Sequence, residues 1–168
     1  MDGKRYSIGM YGGKFLPFHK GHRFCVETAA LECRTVYVIL FYGGADEERI
    51  LREQSEAWLS TEERIRRIHY VCENARKYAE VIPAFIDVSK CRLADGNEDW
   101  DAETPLVRAL LGNRLDAVYS SELSYGAYFS RAYPEAVYLT KRSIYLIMAI
   151  IGLVNWARLN KTRNASNE

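Results

Sequence analysis

The sequence predicts an α/β fold in which helices cover a parallel sheet of short buried strands. Short β-rich apolar runs alternate with longer helical segments along the chain, which is the order typical of such folds. The first two runs end in paired glycines, Gly12-Gly13 and Gly43-Gly44, as buried strands followed by sharp turns do. With 168 residues, 48% of them hydrophobic, and only four prolines, the chain fits one compact domain. At this length a core of ordinary size stabilises the fold without a disulfide or a structural metal ion.

The apolar runs and the segments between them predict the individual elements in order. Strands are predicted over 6–11, 36–42, 81–88, 117–120 and 136–139. Helices are predicted over about 21–33, from Ser60 onward, and over 102–111 and 125–132. The ligands of open parallel sheets bind outside the carboxyl ends of the strands, near the point where strand order reverses. We therefore expect functional residues within 12–23, 43–59, 88–100 and 120–126.

The helix that begins at Ser60 has the clearest pattern. Glu63 lies three positions after Ser60, as in a capping box, and an apolar stripe follows at spacings of three and four residues: Ile65, Ile68, Cys72, Ala75 and Ala79. This stripe is expected to face the sheet. The charged segment 45–59 before it has two interpretations, a mobile active-site loop or a solvated helix without a functional role.

The charge balance excludes some classes of partner. Lys plus Arg number 23 against 22 Asp plus Glu, for a net charge of +1, whereas proteins that coat nucleic acid or membrane surfaces carry a large excess of one sign. The longest apolar run, 144–154, is shorter than the roughly 20 residues of a membrane-spanning helix. The sequence therefore predicts neither a nucleic-acid partner nor a membrane partner.

The cysteines and the N-terminus indicate a reducing compartment. No two of the four cysteines have the CxxC spacing of a zinc site or a dithiol redox motif, so they are predicted to be reduced thiols in packed positions. The first residues lack the apolar stretch and cleavage site of a secretory signal. We expect a cytoplasmic protein.

Residues 12–22, GGKFLPFHKGH, carry the strongest functional signal. Two glycines allow close approach of a ligand to the backbone, and a helix beginning near Gly21 directs its positive dipole end towards the turn. Among the first 23 residues five are basic and one is acidic, and Lys14, Lys20 and Arg23 add charge near this turn. Together these features predict a phosphate site within a local cationic patch.

Two of the three histidines, His19 and His22, lie in this segment. From the first turn of a helix both can donate N–H bonds to phosphate oxygens and stabilise the charge of a leaving pyrophosphate. The alternative is a histidine pair that caps the helix or binds an adventitious metal ion. From average residue usage, the probability that the six fixed positions of GxFxPxHxGH occur together by chance at one start point is on the order of 10⁻⁸. This low probability favours the ligand-binding interpretation. On that interpretation, replacing His19 by alanine leaves folding nearly unchanged.

The segment resembles the HxGH signature of the nucleotidylyltransferase superfamily, and GKFLPFHKGH is especially similar to the nicotinamide mononucleotide adenylyltransferase domain of the NadR type. The resemblance covers roughly residues 6–145. It extends to 42–46, to the helix start at 61–66, to Trp100, and to DAVYSSELSY at 116–125.

The resemblance implies a Rossmann-like open parallel sheet of the nucleotidylyltransferase type, with helices on both faces. It implies magnesium-dependent transfer of AMP from ATP to nicotinamide mononucleotide, without an enzyme nucleophile and with no assigned protein ligand for the metal. The implied catalytic residues are His19, His22 and Lys14. Residues implied to contact the ATP and phosphate portion are Gly12, Gly13, Phe15, Gly21, Ser120, Ser121 and Glu122. Residues implied to bind the acceptor are Asp46, Arg64, Trp100 and Tyr125.

For two of these assignments, Trp100 and the segment 120–122, the residues are also compatible with a purely structural role. Trp100 is also compatible with a surface aromatic in a polar loop. The serines at 120 and 121 and the following Glu122 are compatible with ordinary turn chemistry, because serines at a strand end often cap the next helix.

A second signature of the superfamily, ISxTxxR, is missing near the C-terminus. At its expected place Met148, Ile150 and Leu153 replace the serine, threonine and arginine. Three explanations are open: a changed reading frame after Tyr145, compensation by Lys141 and Arg142, or nucleotide binding without turnover.

Other functions stay open, because the first motif alone does not separate one acceptor from another and because the second signature is missing. They are cytidylyl or flavin-type transfer to another phosphorylated acceptor, and a nucleotide-binding sensor or degenerate enzyme. In each case we expect one domain over 1–157 and a polar, disordered tail over 158–168.

Overall fold

A computed structural model describes residues 3–53, 59–112 and 114–140. In these residues a five-stranded sheet has the order β3-β2-β1-β4-β5, and all four pairs of neighbouring strands are parallel. The strands are β1 (Tyr6–Gly13), β2 (Cys33–Tyr42), β3 (Glu80–Asp87), β4 (Ala117–Ser120) and β5 (Val137–Thr140). The helices are α1 (Lys20–Glu32), α2 (Ala45–Glu53), α3 (Thr61–Ala75), α4 (Trp100–Leu111) and α5 (Gly126–Ala132). The predicted α/β class and parallel sheet are confirmed.

The sheet has a core on each face because successive side chains of a strand point to opposite sides. In β1, Tyr11 belongs to a core formed with α1 and α3, and Met10 belongs to a second core formed with α4 and α5. The first core contains apolar stripes from both of its helices: Val26, Ala29 and Ala30 of α1, and Ile68, Val71, Cys72 and Ala75 of α3. Helices therefore cover both faces of the sheet, as the Rossmann-like expectation requires.

The direction of chain progression changes at β1. From β1 the chain continues to β2 and β3 on one side, and it then crosses to β4 and β5 on the other side. The carboxyl ends of β1 and β4 therefore flank a topological switch point, where ligands of open α/β sheets bind.

The charged segment after β2 forms a helix, although not a fully solvated one. Residues Ala45–Glu53 make α2, and Glu47 on its inner face is only 3% exposed. The start of α3 also differs in part from the expected capping box. Ser60 Oγ accepts a hydrogen bond from the Glu63 N–H, but the Glu63 carboxylate pairs with Arg66 and Arg67.

Several expectations concern residues outside the described ranges. They are the apolar run 144–154, compensation by Lys141 and Arg142, the positions of the missing second signature, and the domain boundary after residue 157. Within the described ranges, no helix combines the length and the apolar character needed to cross a bilayer.

Candidate functional site

The end of β1 has a glycine where an aromatic ring approaches the backbone closely. A Cβ on Gly12 would lie 2.6 Å from Cε2 of Phe41, a separation that real Cβ atoms do not show. Three residues on, Phe15 has a φ of +51°, which is uncommon for a residue with a side chain. Its ring is buried and packs 5.1 Å, centroid to centroid, from both Phe18 and His22. Phe15 therefore lies beneath the histidine motif, as part of its support.

His19 and His22 form a capping box at the start of α1. The Gly21 N–H donates to His19 Nδ1 at 3.1 Å, and the His19 N–H donates to His22 Nδ1 at 3.2 Å. The two rings stack with centroids 3.7 Å apart. Helix capping, the alternative for this pair, is thus present in the structure. Because His19 caps α1, His19→Ala is expected to lower the stability of the fold, contrary to the sequence-based expectation.

The capping bonds also determine what the imidazoles can offer a ligand. Because both Nδ1 atoms accept backbone N–H groups, the ring protons lie on Nε2. Burial, and then the proximity of His19, lower the pKa of His22 from 6.5 to about 3, so this ring is neutral near pH 7. The pair can therefore cap the helix through Nδ1 and still act as hydrogen-bond donors through Nε2.

Lys14 lies between two carboxylates from distant parts of the chain. Its Nζ donates to Asp46 Oδ2 at 2.9 Å and to Glu98 Oε2 at 2.5 Å. Burial alone lowers the pKa of Lys14, but the hydrogen bonds and charges of the two carboxylates outweigh burial and raise it. The hydrogen bond from Lys14 is the largest cause of the lowered pKa of Asp46. Lys14 is therefore a fully charged ammonium group held between two carboxylates.

The predicted cationic patch is consequently weaker than its sequence suggests. Lys4 lies at the other end of α1, where its ammonium donates to the carbonyls of Ala30 and Tyr78. Arg23 pairs with Glu27 one turn along α1, at 2.8 Å. Nearness in sequence did not place these basic groups around one turn.

Arg64 was expected to bind the acceptor, and the structure places it behind the turn instead. Its side chain is fully buried, and it donates to the Lys14 carbonyl at 2.8 Å and to the Glu47 carboxylate. The other oxygen of Glu47 accepts the Gly43 N–H at 2.9 Å. This network connects the turn after β1, the turn after β2 and the start of α3, so it positions the loops of the site.

A cavity of about 170 Å³ lies beside the glycine turn on the face covered by α4 and α5. Its lining includes Gly12, Gly13 and Lys14, and it is otherwise rich in aromatic side chains: Phe41, Trp100, Tyr125, Tyr128, Phe129 and Tyr133. The Trp100 ring makes edge contacts with Tyr125 and Tyr128 at centroid distances of 5.0 and 5.1 Å. Trp100 thus lines a cavity and does not belong to a polar surface loop.

Two carboxylates in this cavity were missed by the sequence prediction. Glu98 and Glu103 both line it and are largely buried, and each has one oxygen with no hydrogen-bond partner among the described residues. Burial, and then the charge of Glu98, raise the pKa of Glu103 from 4.5 to about 7. A sequence signal existed, because Glu103 interrupts the helical stripe of Trp100, Val107 and Leu111 at spacings of three and four.

The residues at the end of β4 are placed differently. Ser120 is buried, and its Oγ accepts the Glu122 N–H at 3.0 Å, which is ordinary turn chemistry. The Glu122 carbonyl accepts a hydrogen bond from the Tyr138 hydroxyl. Neither Ser120, Ser121 nor Glu122 is part of the cavity lining. Their proposed contact with ATP stays a prediction.

Solved structures with the same type of fold were found, whereas no family model and no curated protein matches the sequence. The NadR protein, solved in complex with NAD and AMP-PNP, has a TM-score of 0.54 and 22% identity over 87% of this chain. Two structures of a bifunctional NMN adenylyltransferase/ADP ribose pyrophosphatase from Francisella tularensis each have a TM-score of 0.47 over 80% of this chain, with identities of 14% and 18%. The chain spans 41% of the NadR chain and 37% and 36% of the others. At these identities the similarity concerns the fold.

Proposed function

We propose that this chain is a nucleotidylyltransferase that transfers AMP from ATP to nicotinamide mononucleotide, with NAD and pyrophosphate as products. The observation that carries this proposal is the joining of two subsites at the switch point of the sheet. A glycine turn with a histidine-capped helix lies on one side, and an aromatic cavity lies directly beside it. Such an arrangement suits two nucleotides that must meet at their phosphates.

The phosphate subsite acts by positioning and charge stabilisation. An oxygen of the acceptor 5′-phosphate attacks the α-phosphorus of ATP, and the bond from that phosphorus to the oxygen shared with the β-phosphorus breaks. Pyrophosphate leaves with the bonding electron pair. The Nε2–H groups of His19 and His22 donate to the phosphate oxygens, and the N-terminus of α1 adds its dipole. Lys14 exchanges its bond to the half-exposed Asp46 for a substrate phosphate oxygen.

The acceptor subsite is the aromatic cavity. A flat ring fits against aromatic side chains such as Trp100, which lines the cavity, where stacking and edge contacts hold it in one orientation. Lys14 lies on the lining between this cavity and the glycine turn. The acceptor phosphate is thereby held next to the ATP phosphates, which lowers the entropic barrier of the transfer.

Magnesium belongs to the substrate in this proposal. Among the described residues, no three His, Cys, Asp or Glu side chains are grouped so that they could hold a metal ion. Mg²⁺ commonly binds through substrate phosphates and water with one or two carboxylates at most. We therefore assign it to the ATP complex and assign no protein ligand.

The similarity in fold to NadR supports the choice of substrates. That protein was solved with NAD and the ATP analogue AMP-PNP. The GKFLPFHKGH motif resembles the adenylyltransferase domain of the same type, and in this chain it lies at the switch point.

The test is NAD formation by the purified full chain with Mg²⁺, ATP and nicotinamide mononucleotide. The His22→Asn variant keeps an acceptor near the position of Nδ1 for the helix cap but has no donor at the position of Nε2, so we expect kcat to fall about 10²- to 10³-fold. The matched control is His69→Asn, because His69 is the third histidine and lies exposed on α3. An unchanged rate in His22→Asn would remove the histidine from the mechanism.

The other candidate functions are outcomes of the same assay. Product from CTP, or from a flavin nucleotide acceptor, and not from nicotinamide mononucleotide would keep the class and change the substrates. ATP binding without turnover on any acceptor would support a nucleotide-binding sensor.

A further inference from the structure

Glu103 is the feature of the cavity that nucleotide transfer alone does not explain. It lies on α4 facing the aromatic lining, it is 9% exposed, and its Oε1 has no hydrogen-bond partner among the described residues. The carboxylate of Glu98 lines the same cavity with its side chain 3% exposed, and its Oε1 also lacks a partner there. A buried carboxylate oxygen without a donor is destabilising, so two beside one cavity indicate a ligand that supplies a donor.

The charges around the cavity indicate which ligand. Among its described lining residues Lys14 carries the only positive charge, and Asp46 and Glu98 already bind it. A further anion would therefore face Glu103 without a free cation to neutralise it. A positively charged ring is favoured instead, both by the carboxylates and by the faces of aromatic side chains such as Trp100.

We propose that Glu103, with Glu98 beside it, selects an acceptor whose pyridinium ring carries an uncharged amide and rejects the same nucleotide with a carboxylate in place of the amide. The amide N–H donates to the free oxygen of Glu103, which satisfies that buried acceptor. At pH 8, where Glu103 is mostly ionised because its pKa is about 7, a carboxylate brings no donor and places a second anion next to Glu103 in a water-poor cavity. This inference rests on the proposed function, because it takes the cavity as the acceptor subsite.

The mechanism of selection is a difference between two affinities. A site built to bind a substrate N–H discriminates strongly against an analogue without it, by up to about 10⁴- to 10⁵-fold where the buried group is left unpaired. Part of the cavity is open to solvent at Tyr125, which is 38% exposed, so we expect a smaller factor here, of about 10².

Calorimetry on the full chain measures this selection without catalysis. Nicotinamide mononucleotide and nicotinic acid mononucleotide are each titrated into the protein at pH 8 in the absence of ATP. We expect the amide to bind about 100-fold more tightly, and the ratio of the two Kd values to fall at least tenfold in Glu103→Gln. Glutamine keeps the shape of the side chain and supplies a donor for a carboxylate. The matched control is Asp101→Asn, since Asp101 lies on the same helix but is exposed and pairs with Arg131.

The outcomes separate this inference from the proposed function. Equal affinities in the unmodified protein, no binding of either nucleotide, or an unchanged ratio in a folded Glu103→Gln variant would each overturn the selection. Equal affinities and absence of binding are both measured on the unmodified protein, so these two tests do not depend on the folding of Glu103→Gln. Selective binding of the amide without NAD formation would uphold the selection and overturn the transfer. Efficient transfer to both acceptors, with equal affinities, would uphold the transfer and overturn the selection.

Discussion

The histidine pair has two roles that substitution can separate, and His19 is the residue at which to separate them. Its Nδ1 accepts the Gly21 N–H, so His19→Ala removes the side-chain cap of α1. Loss of an N-cap lowers the free energy of unfolding by about 1 kcal/mol, within a range of about 0.5–2 kcal/mol. For a domain of this size, 1 kcal/mol corresponds to a Tm lower by about 2–4 °C. Asparagine is a good N-cap residue, so His19→Asn should restore most of that loss.

Activity should respond differently from stability. Both variants lose the Nε2–H donor, so we expect NAD formation to fall by about 10²-fold or more in each, although only His19→Ala is less stable. Thermal unfolding followed by circular dichroism, together with the rate of NAD formation, measures both effects on the same preparations. Full activity in His19→Asn would refute the donor role and leave His19 as a helix cap alone. An unchanged Tm in His19→Ala would refute the capping role.

Two further predictions follow from the buried charges of the site. Arg64→Met leaves the carboxylate of Glu47 buried without its arginine partner, so we expect denaturant titrations to show a free energy of unfolding lower by about 3–5 kcal/mol. Adding Glu47→Gln to this variant should have a smaller effect than Glu47→Gln alone, whereas full additivity of the two changes would contradict a direct pairing. Burial, and then the charge of Glu98, raise the pKa of Glu103 from 4.5 to about 7. Between pH 4.5 and pH 7 the folded protein therefore binds more protons than the unfolded chain, and the contribution of Glu103 to stability is lost as the pH rises through this range. The Tm of Glu103→Gln minus that of the unmodified protein should therefore be more positive at pH 8 than at pH 4.5, and a difference independent of pH would show that Glu103 is not perturbed.

Much of the fold could be predicted because its signals are local. The strand at 117–120 and the helix that begins after Ser60 have their predicted starts, since β-rich apolar runs and capping serines act within a few residues. The four segments expected at the carboxyl edge also meet there. Lys14 contacts Asp46 and Glu98, and Tyr125 contacts Trp100.

The sequence could not indicate how charges would pair across the fold. From the sequence, Glu98 is one residue of a polar loop. Only the folded chain brings it into contact with Lys14, 84 positions away in the sequence. Arg64 looked like a substrate ligand by its position in a motif, but the packing of α3 against two turns buries it completely.

The sequence by itself determined the parallel α/β architecture, the glycine turn and the histidine pair at the start of α1, because strand and helix patterns, glycine conformations and helix caps depend on near neighbours in the chain. Only the tertiary structure decided the ion pairs of Lys14 and the aromatic cavity with Glu98 and Glu103. These features require contacts between elements far apart in sequence, and the burial that makes an unpartnered carboxylate informative does not exist until the sheet and α4 have packed together.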